Sequence, residues 1–456
     1  MLRVRDRLYG ELQLPDLVWQ LALSCPVLLR LREIRMANIP FLTHPSFAHV
    51  DRYEHSLGVA HLAWRWSNRR GLSKDDALAL TLAALYHDGA TPAFGHLFEE
   101  YLRRFGFDHE ESLVNLLQGT TDELPGADTA QIFLGRGCNL KSILPRPKSV
   151  TSSLTTLGIA DLTAGKGILG PLIKGRIDFD NIDNVVRASS AMGLAPQRET
   201  VHPYDIIDAL ALDGNEITID ESKLSAISAW SELRRHLYEA ILNNQYEFRA
   251  QTALKWAIEE CAAKYEGLNH RGAWVITDPE LTFTYLRGVP FSRALVDRLR
   301  LGNPPELLFS TWISDLSILT GEQSGHVIRG LSAELSDLTN CEVYVNYYLD
   351  KRSRRIDLPV RGNMNLFVPE APATILEEQQ TTGAGGVIGA VYVTRTERAS
   401  VEGTPGPFKQ LAKRVASLDE INAAIVRYLS QPAHSTSFQW IGGSSARSSV
   451  FSLSAI

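Results

Sequence analysis

The chain has 456 residues, 44% of them hydrophobic and 21% charged, with a formal net charge of −6. That length holds two or three domains with at least one large core, and the mild acidity carries no global signature of a polyanion-binding protein, so nucleic acid is not indicated as a partner by charge and could engage only a local basic patch. Four cysteines, Cys25, Cys138, Cys261 and Cys341, lie far apart with no CxxC pair, which excludes a zinc ribbon and a disulfide framework and suits a reducing compartment.

In chain order, the opening MLRVRDRLYGELQLPDL places charges where a secretory signal needs an apolar segment. The apolar run from Leu17 to Leu29 is interrupted by Gln20 and Pro26 and is too short to span a bilayer. A cytoplasmic protein with no membrane partner is expected. DRYEHSLGVAHLA, residues 51–63, reads as the start of a buried helix crowded with polar groups. SKDDALALTLAALYHD then begins on Ser73 as an N-cap, with acidic residues in the first turn, and runs apolar on nearly every face. In FGHLFEEYLRRFG the residues Phe94, Leu97, Phe98, Tyr101, Leu102 and Phe105 fall at helical spacing before Gly106, and Asp108 is placed to cap the next helix, HEESLVNLLQG. Residues 119–155 turn polar and rich in Gly, Pro and Ser, as a long surface segment would; helical patterns return over 181–193 and 221–264. CEVYVNYYLD (341–350) and GGVIGAVYVT (385–394) are β-branched and aromatic, hence strands. The glycines of TTGAGGVIGA precede a strand rather than open a helix, which favours a hairpin turn over a phosphate-cradling loop. PFKQLAKRVASLDEINAAIVRYLSQ reads as a terminal helix. The expected fold is mostly α: a helical domain over 1–300, a smaller α/β region over 301–430 and a Ser-rich tail over 431–456.

Burying charge is costly unless the groups pair, lose the charge or share a metal ion. His55 starts one apolar helix, His87 and Asp88 end another, and GRIDFDNIDNVVRASS (175–190) adds Asp178, Asp180 and Asp183 at the start of a third. Taken singly, the histidine is a cap or core residue, the His-Asp pair is uninformative and the aspartates are a solvated helix start. Taken together they form a mixed N/O donor set for a divalent cation such as Mn, Mg, Fe, Zn or Ni. Such an ion lowers the pKa of bound water and neutralises charge on a phosphoryl group.

The order H…HD…D resembles the signature of HD-domain metal-dependent phosphohydrolases, and most closely their deoxynucleoside triphosphate triphosphohydrolase branch. RYEHSLGVAHLA is similar to that branch's RFEHSLGV segment, ALYHDGATPAFGHLFEE to its HD segment, DHEESL to its following HE element, and IDFDNIDNVVRAS to its last aspartate segment. The likeness runs over roughly residues 28–300 and implies an HD-domain helical bundle. Carried over by position, it makes His55, His87, Asp88 and Asp180 the metal ligands. His96 with Glu99 becomes the catalytic histidine and its carboxylate, and His109 a second active-site histidine. Arg52 becomes a phosphate contact, with Arg187 or Lys174 balancing further phosphate charge. Packing, or ligation of a second ion, is the competing reading of His96 and His109.

The departures cluster on sugar recognition. Asn184 stands for the branch's tyrosine, Ala188 for its 3′-hydroxyl-reading aspartate, Met36 at or near its upstream glutamine, and Thr91 for a second histidine, with Gly89 and Pro92 displaced; Glu99 replaces an aspartate. A site that loses hydrogen-bonding groups loses the discrimination those groups supply. The expectation is a nucleotide phosphohydrolase with altered substrate choice, assembled as a homo-oligomer as the resemblance suggests. The competing functions are a nucleotide-sensing module with little turnover, or a nuclease using the basic loop around Arg136, Lys141, Arg146 and Lys148.

Overall fold

The structure, a computed structural model, describes residues 4–37, 42–118, 144, 154–194, 201–313, 324–351, 360–361, 386–402, 420–421 and 423–425. The basic loop at 136–148 apart from residue 144, the terminal helix apart from helical residues 420–421 and 423–425, and the Ser-rich tail lie outside the described residues. The fold is mostly helical with small sheets and falls into two compact units, one of residues 1–239, 267–281 and 352–374, the other of 240–266, 282–351 and 375–456.

The first unit opens with a hairpin, β1 (Arg5–Asp6) antiparallel to β2 (Gly10–Glu11). Helices α1 (Asp16–Ser24), α2 (Pro26–Arg30), α3 (Arg52–Arg69), α4 (Lys74–Tyr86), α5 (His96–Leu102) and α6 (His109–Gln118) follow, then helices Thr156–Thr163, Phe179–Met192 and Pro203–Ala209. Each start has a local cause. Asp51 accepts the Glu54 N–H at 2.7 Å, Ser73 the Asp76 N–H at 3.1 Å, and Asp108 the Glu110 and Glu111 N–H groups at 2.9 Å. Helix α3 lies against α4 and against Phe179–Met192, and α4 is buried continuously from Ala79 to Tyr86. Apolar packing of Leu28, Leu62, Trp66, Leu80, Phe98 and Phe179 therefore sets where the polar ends of three helices meet.

Three local features go beyond the sequence pattern. Helix α5 starts at His96, because Phe94 and Gly95 both take left-handed backbone (φ 51° and 55°). The helical pattern of 221–264 divides into Leu224–Leu242 and Gln245–Ala262, since the Asn244 side chain caps a new helix by accepting the Glu247 N–H at 3.1 Å. The stretch LALDGNEITID, with no strand assigned from sequence, is a hairpin of Leu210–Asp213 with Glu216–Asp220, turning through Gly214 at φ 59°.

In the second unit an antiparallel sheet has Gly386–Thr394 at its centre, flanked by Glu306–Ile313 and Cys341–Leu349, with helix Ser324–Thr339 packed on the last of these. The strands expected near 341–350 and 385–394 are both present. Gly386 and Gly389 lie in the central strand rather than in a turn, and Gly383 and Gly385 lie outside the described residues. A side chain at Gly389 would meet the Phe309 carbonyl oxygen at 2.7 Å and the Phe248 ring at 2.8 Å. Among the described residues, no helix is long and apolar enough to cross a membrane.

Candidate metal centre

His55 lies in the first turn of α3, which is anchored by the Arg52 N–H donating to the Ile34 carbonyl at 2.9 Å. His87 and Asp88 follow directly on α4, and Asp180 sits in the first turn of helix Phe179–Met192, whose cap Asp178 accepts the Asn181 N–H at 2.7 Å. Four side-chain atoms converge. His55 Nε2 is 3.2 Å from His87 Nε2, 3.0 Å from Asp180 Oδ1 and 3.8 Å from Asp88 Oδ2. His87 Nε2 is 3.7 Å from Asp180 Oδ1 and 3.6 Å from Asp88 Oδ2.

The far sides of the rings decide their chemistry. His55 Nδ1 lies 2.7 Å from Asp183 Oδ1 and His87 Nδ1 lies 2.7 Å from the Ala84 carbonyl oxygen, both acceptors, so each Nδ1 is the protonated nitrogen. With both rings neutral, both Nε2 atoms carry lone pairs, and two lone pairs 3.2 Å apart call for a proton or a metal cation between them. Carboxylate-backed and carbonyl-backed imidazoles of this kind are the usual support of metal-ligating histidines. His55, His87 and Asp88 thus form a candidate metal site, with Asp180 adjoining it. The charge balance agrees. Burial opposes a proton on His55, yet the Asp180 and Asp183 carboxylates push its pKa up to about 10, and the field that stabilises that proton would stabilise a cation. Burial likewise disfavours ionised Asp88 and Asp180, but Arg52 and the two imidazoles hold Asp88, and the imidazoles hold Asp180, below the usual carboxylate range.

Around this centre, Arg52 Nη1 donates to Asp88 Oδ2 at 2.8 Å and Thr91 Oγ1 donates to Asp88 Oδ1 at 2.9 Å, fixing both carboxylate oxygens. Thr91, noted in the sequence only as a departure, therefore orients a candidate ligand. Glu99, 2% exposed, joins the two histidines carried on α5 and α6: His96 Nδ1 donates to its Oε2 and His109 Nδ1 to its Oε1, both at 2.7 Å, and Arg103 adds a contact at 3.0 Å. Burial alone would raise the Glu99 pKa, but hydrogen bonds from His109 and His96 hold it far below the usual range. Burial lowers that of His109, and Glu99 more than restores it, to above the ordinary imidazole value. His96 leaves 57% of its side chain exposed, with Nε2 on the ring edge away from Glu99.

Two of the expected phosphate contacts lie elsewhere. Arg187 is fully buried, and its guanidinium is taken up by Asp183, Asp6 and Glu54, behind His55. Lys174 pairs with Glu110 on an exposed surface. Arg52 is the cation of that set that touches the candidate ligands.

The residues missed from sequence are those reaching in from a distance. Asp278 accepts the Phe94 N–H at 2.7 Å and the Arg35 N–H at 3.0 Å, and so clamps the left-handed turn in front of His96. Arg30 donates to the Trp274 carbonyl at 3.0 Å and to the Gly89 and Thr91 carbonyls, holding the loop between Asp88 and that turn. Asp183 was named in the sequence with Asp178 and Asp180, and its pairing with Arg187 also had a local signal, the i,i+4 spacing on one helical face.

The profile of the HD domain matches residues 52–132, the stretch that carries His55, His87, Asp88, His96 and His109. The chain carries an HD domain. It is also distantly homologous to SAMHD1-type dNTP triphosphohydrolases. The deoxynucleoside triphosphate triphosphohydrolase SAMHD1 homolog of Dictyostelium discoideum is 26% identical over 132 residues, 26% of this chain and 25% of that protein. The Danio rerio deoxynucleoside triphosphate triphosphohydrolase SAMHD1 is 32% identical over 101 residues, 21% of this chain and 16% of its own length. The Bos taurus protein is 29% identical over 103 residues, 21% and 17% of the two chains. The match thus spans a quarter or less of these relatives. Outside the HD domain the likeness is one of fold: a hypothetical protein from Aquifex aeolicus, known from a crystal structure, superposes with a TM-score of 0.58 at 18% identity, over 89% of this chain and all of its own.

Proposed function

We propose that the chain is a metal-dependent phosphohydrolase acting on nucleotides, with His55, His87, Asp88 and Asp180 holding one divalent cation. The observation that carries this reading is that two imidazole Nε2 atoms lie 3.2 Å apart and each is 3.0–3.8 Å from an Asp88 and an Asp180 carboxylate oxygen, with both Nδ1 atoms committed to acceptors. A bound cation would supply an acidified water and charge neutralisation at phosphorus. The protein's own groups complete the chemistry. Arg52, beside Asp88, offers a guanidinium to a phosphate oxygen. His96, with Nδ1 committed to Glu99, keeps Nε2 on the exposed side of its ring to give a proton to a leaving oxygen. His109 shares Glu99 and adds positive charge on the same side.

Nucleotides are the favoured substrates because the relatives are named as deoxynucleoside triphosphate triphosphohydrolases, and release of triphosphate is the corresponding reaction. Altered sugar choice follows from Ala188, whose buried methyl offers no polar atom to a hydroxyl, and from Asn184. Product analysis across dNTPs, NTPs, dinucleoside polyphosphates and monophosphates with Mn²⁺ or Mg²⁺ tests the reading. Turnover is expected in wild type and absent in a His87→Ala, Asp88→Ala double variant. Equal background in both favours a sensor, and strict preference for canonical dNTPs refutes the altered sugar choice.

A further inference from the structure

The β1–β2 hairpin is far from the HD residues in sequence, yet its side chains end at the back of His55. Asp183 is the pivot. Its Oδ1 accepts from His55 Nδ1 and Arg187 Nε, both at 2.7 Å; its Oδ2 accepts from Arg187 Nη2 at 2.8 Å and from the Tyr9 hydroxyl at 2.6 Å. Arg187 then spends Nη1 on Asp6 Oδ2 at 2.9 Å and Glu54 Oε1 at 2.8 Å. Glu54 in turn receives Arg7 Nε at 3.1 Å and Nη2 at 3.2 Å. Within the hairpin, Asp6 Oδ1 accepts the Leu8 and Tyr9 N–H groups at 2.7 and 3.1 Å, which holds Tyr9 in place. Gly58 on α3 leaves the space: a Cβ there would lie 2.3 Å from Asp183 Oδ2, 2.4 Å from Arg187 Nη2 and 2.9 Å from the Tyr9 ring.

We infer that this hairpin is a working part of the metal centre, with Tyr9 and Asp6 as positioning residues that lock the Asp183–Arg187 pair and thereby aim His55 Nε2 at the cation. The inference rests on the proposed metal site. Without the Tyr9 hydroxyl, Asp183 Oδ2 keeps one donor instead of two, and the carboxylate can turn away from His55 Nδ1. Without the Asp6 charge, Arg187 loses a carboxylate partner and its grip on Asp183 loosens. Both changes lower the basicity and the pre-orientation of the ligand imidazole, the route by which outer partners of a ligand typically change metal affinity by about 10–100-fold.

The test is a calorimetric Mn²⁺ titration of the full, metal-stripped chain as wild type, Tyr9→Phe and Asp6→Asn, with Tyr348→Phe, a buried phenol of the second unit, as control. Near-UV circular dichroism checks the fold. Tyr9→Phe and Asp6→Asn are each expected to weaken Mn²⁺ binding about tenfold while the control matches wild type; a folded Tyr9→Phe or Asp6→Asn weakened by less than about threefold overturns the inference. Hydrogen exchange on wild type gives a measurement free of any variant: Mn²⁺ is expected to slow exchange of the Leu8 and Tyr9 amides, and unchanged exchange overturns the inference on its own. A wild type that takes up no Mn²⁺ refutes the metal site itself, which is distinct from a wild type that binds and variants that bind equally.

Discussion

Gly58→Ala separates local from tertiary control of this site. In an ordinary helix interior, alanine is favoured over glycine by about 1 kcal/mol. At Gly58 the added methyl would lie 2.3 Å from Asp183 Oδ2 and 2.4 Å from Arg187 Nη2, roughly 1 Å inside normal contact. Neither atom can withdraw freely, because they bind each other at 2.8 Å and Asp183 Oδ2 also holds the Tyr9 hydroxyl at 2.6 Å. Hydrogen bonds to charged groups contribute about 1.5–3 kcal/mol each, and overpacking adds about 1–3 kcal/mol. Weakening two such bonds outweighs the gain in helix propensity, for a net loss of about 3 kcal/mol. For a unit of this size that is a fall of roughly 6–12 °C in the midpoint. Scanning calorimetry of the metal-stripped protein measures the shift, and Mn²⁺ titration of the same samples is expected to show weakened binding. An alanine variant as stable as wild type, or more stable, would refute the close-packed network behind His55.

Asp278 gives a pH signature: burial pushes its pKa up to about 6 from 3.8. A carboxyl with a raised folded pKa binds protons more tightly when folded, so its cost to stability grows as pH rises from about 4 to about 6 and is then constant. Between pH 4.5 and 7 that cost amounts to about 2 kcal/mol; Asp278→Asn should remove this part of the pH slope in denaturation experiments, and an identical slope would contradict it. Glu99→Gln presents an amide donor to one of two imidazole N–H groups, so that one ring must change tautomer. Glu99's lowered pKa stabilises the fold above about 4.5 and is lost as pH falls, while the raised pKa of His109 stabilises it below about 6.5 and is lost as pH climbs through its folded value. The variant should lose both contributions and, in turnover assays, about 10²-fold or more of the rate; a wild-type pH–rate profile would refute His96 as the acid. Metal addition should stabilise wild type by about 2.7 kcal/mol at a hundredfold excess over Kd and leave the His87→Ala, Asp88→Ala variant unmoved, as thermal denaturation with and without Mn²⁺ would reveal.

Much of the centre was legible in the residues alone. Helix starts at Arg52, Lys74 and His109 follow from the caps Asp51, Ser73 and Asp108, because capping is satisfied within a few residues. The HD order and the His96–Glu99 spacing are likewise local patterns. The turn in front of His96 was not legible: FGH sits in a helical pattern, and Phe94 leaves it because a carboxylate 184 positions away accepts its N–H. Nor was the fate of Arg187, whose i,i+4 partner Asp183 is local while Asp6 and Glu54 are not.

Local periodicity, caps and the spacing of histidines and aspartates were thus enough to determine a helical HD domain and its candidate ligands, since each depends on neighbours within a turn or two of chain. Which cations face the centre and which support it from behind was decided only by tertiary structure. Tyr9 and Asp183, 174 residues apart, meet where α3 packs against helix Phe179–Met192 and the buried Tyr9 of the hairpin reaches Asp183. A buried carboxylate then takes whatever donors that packing delivers.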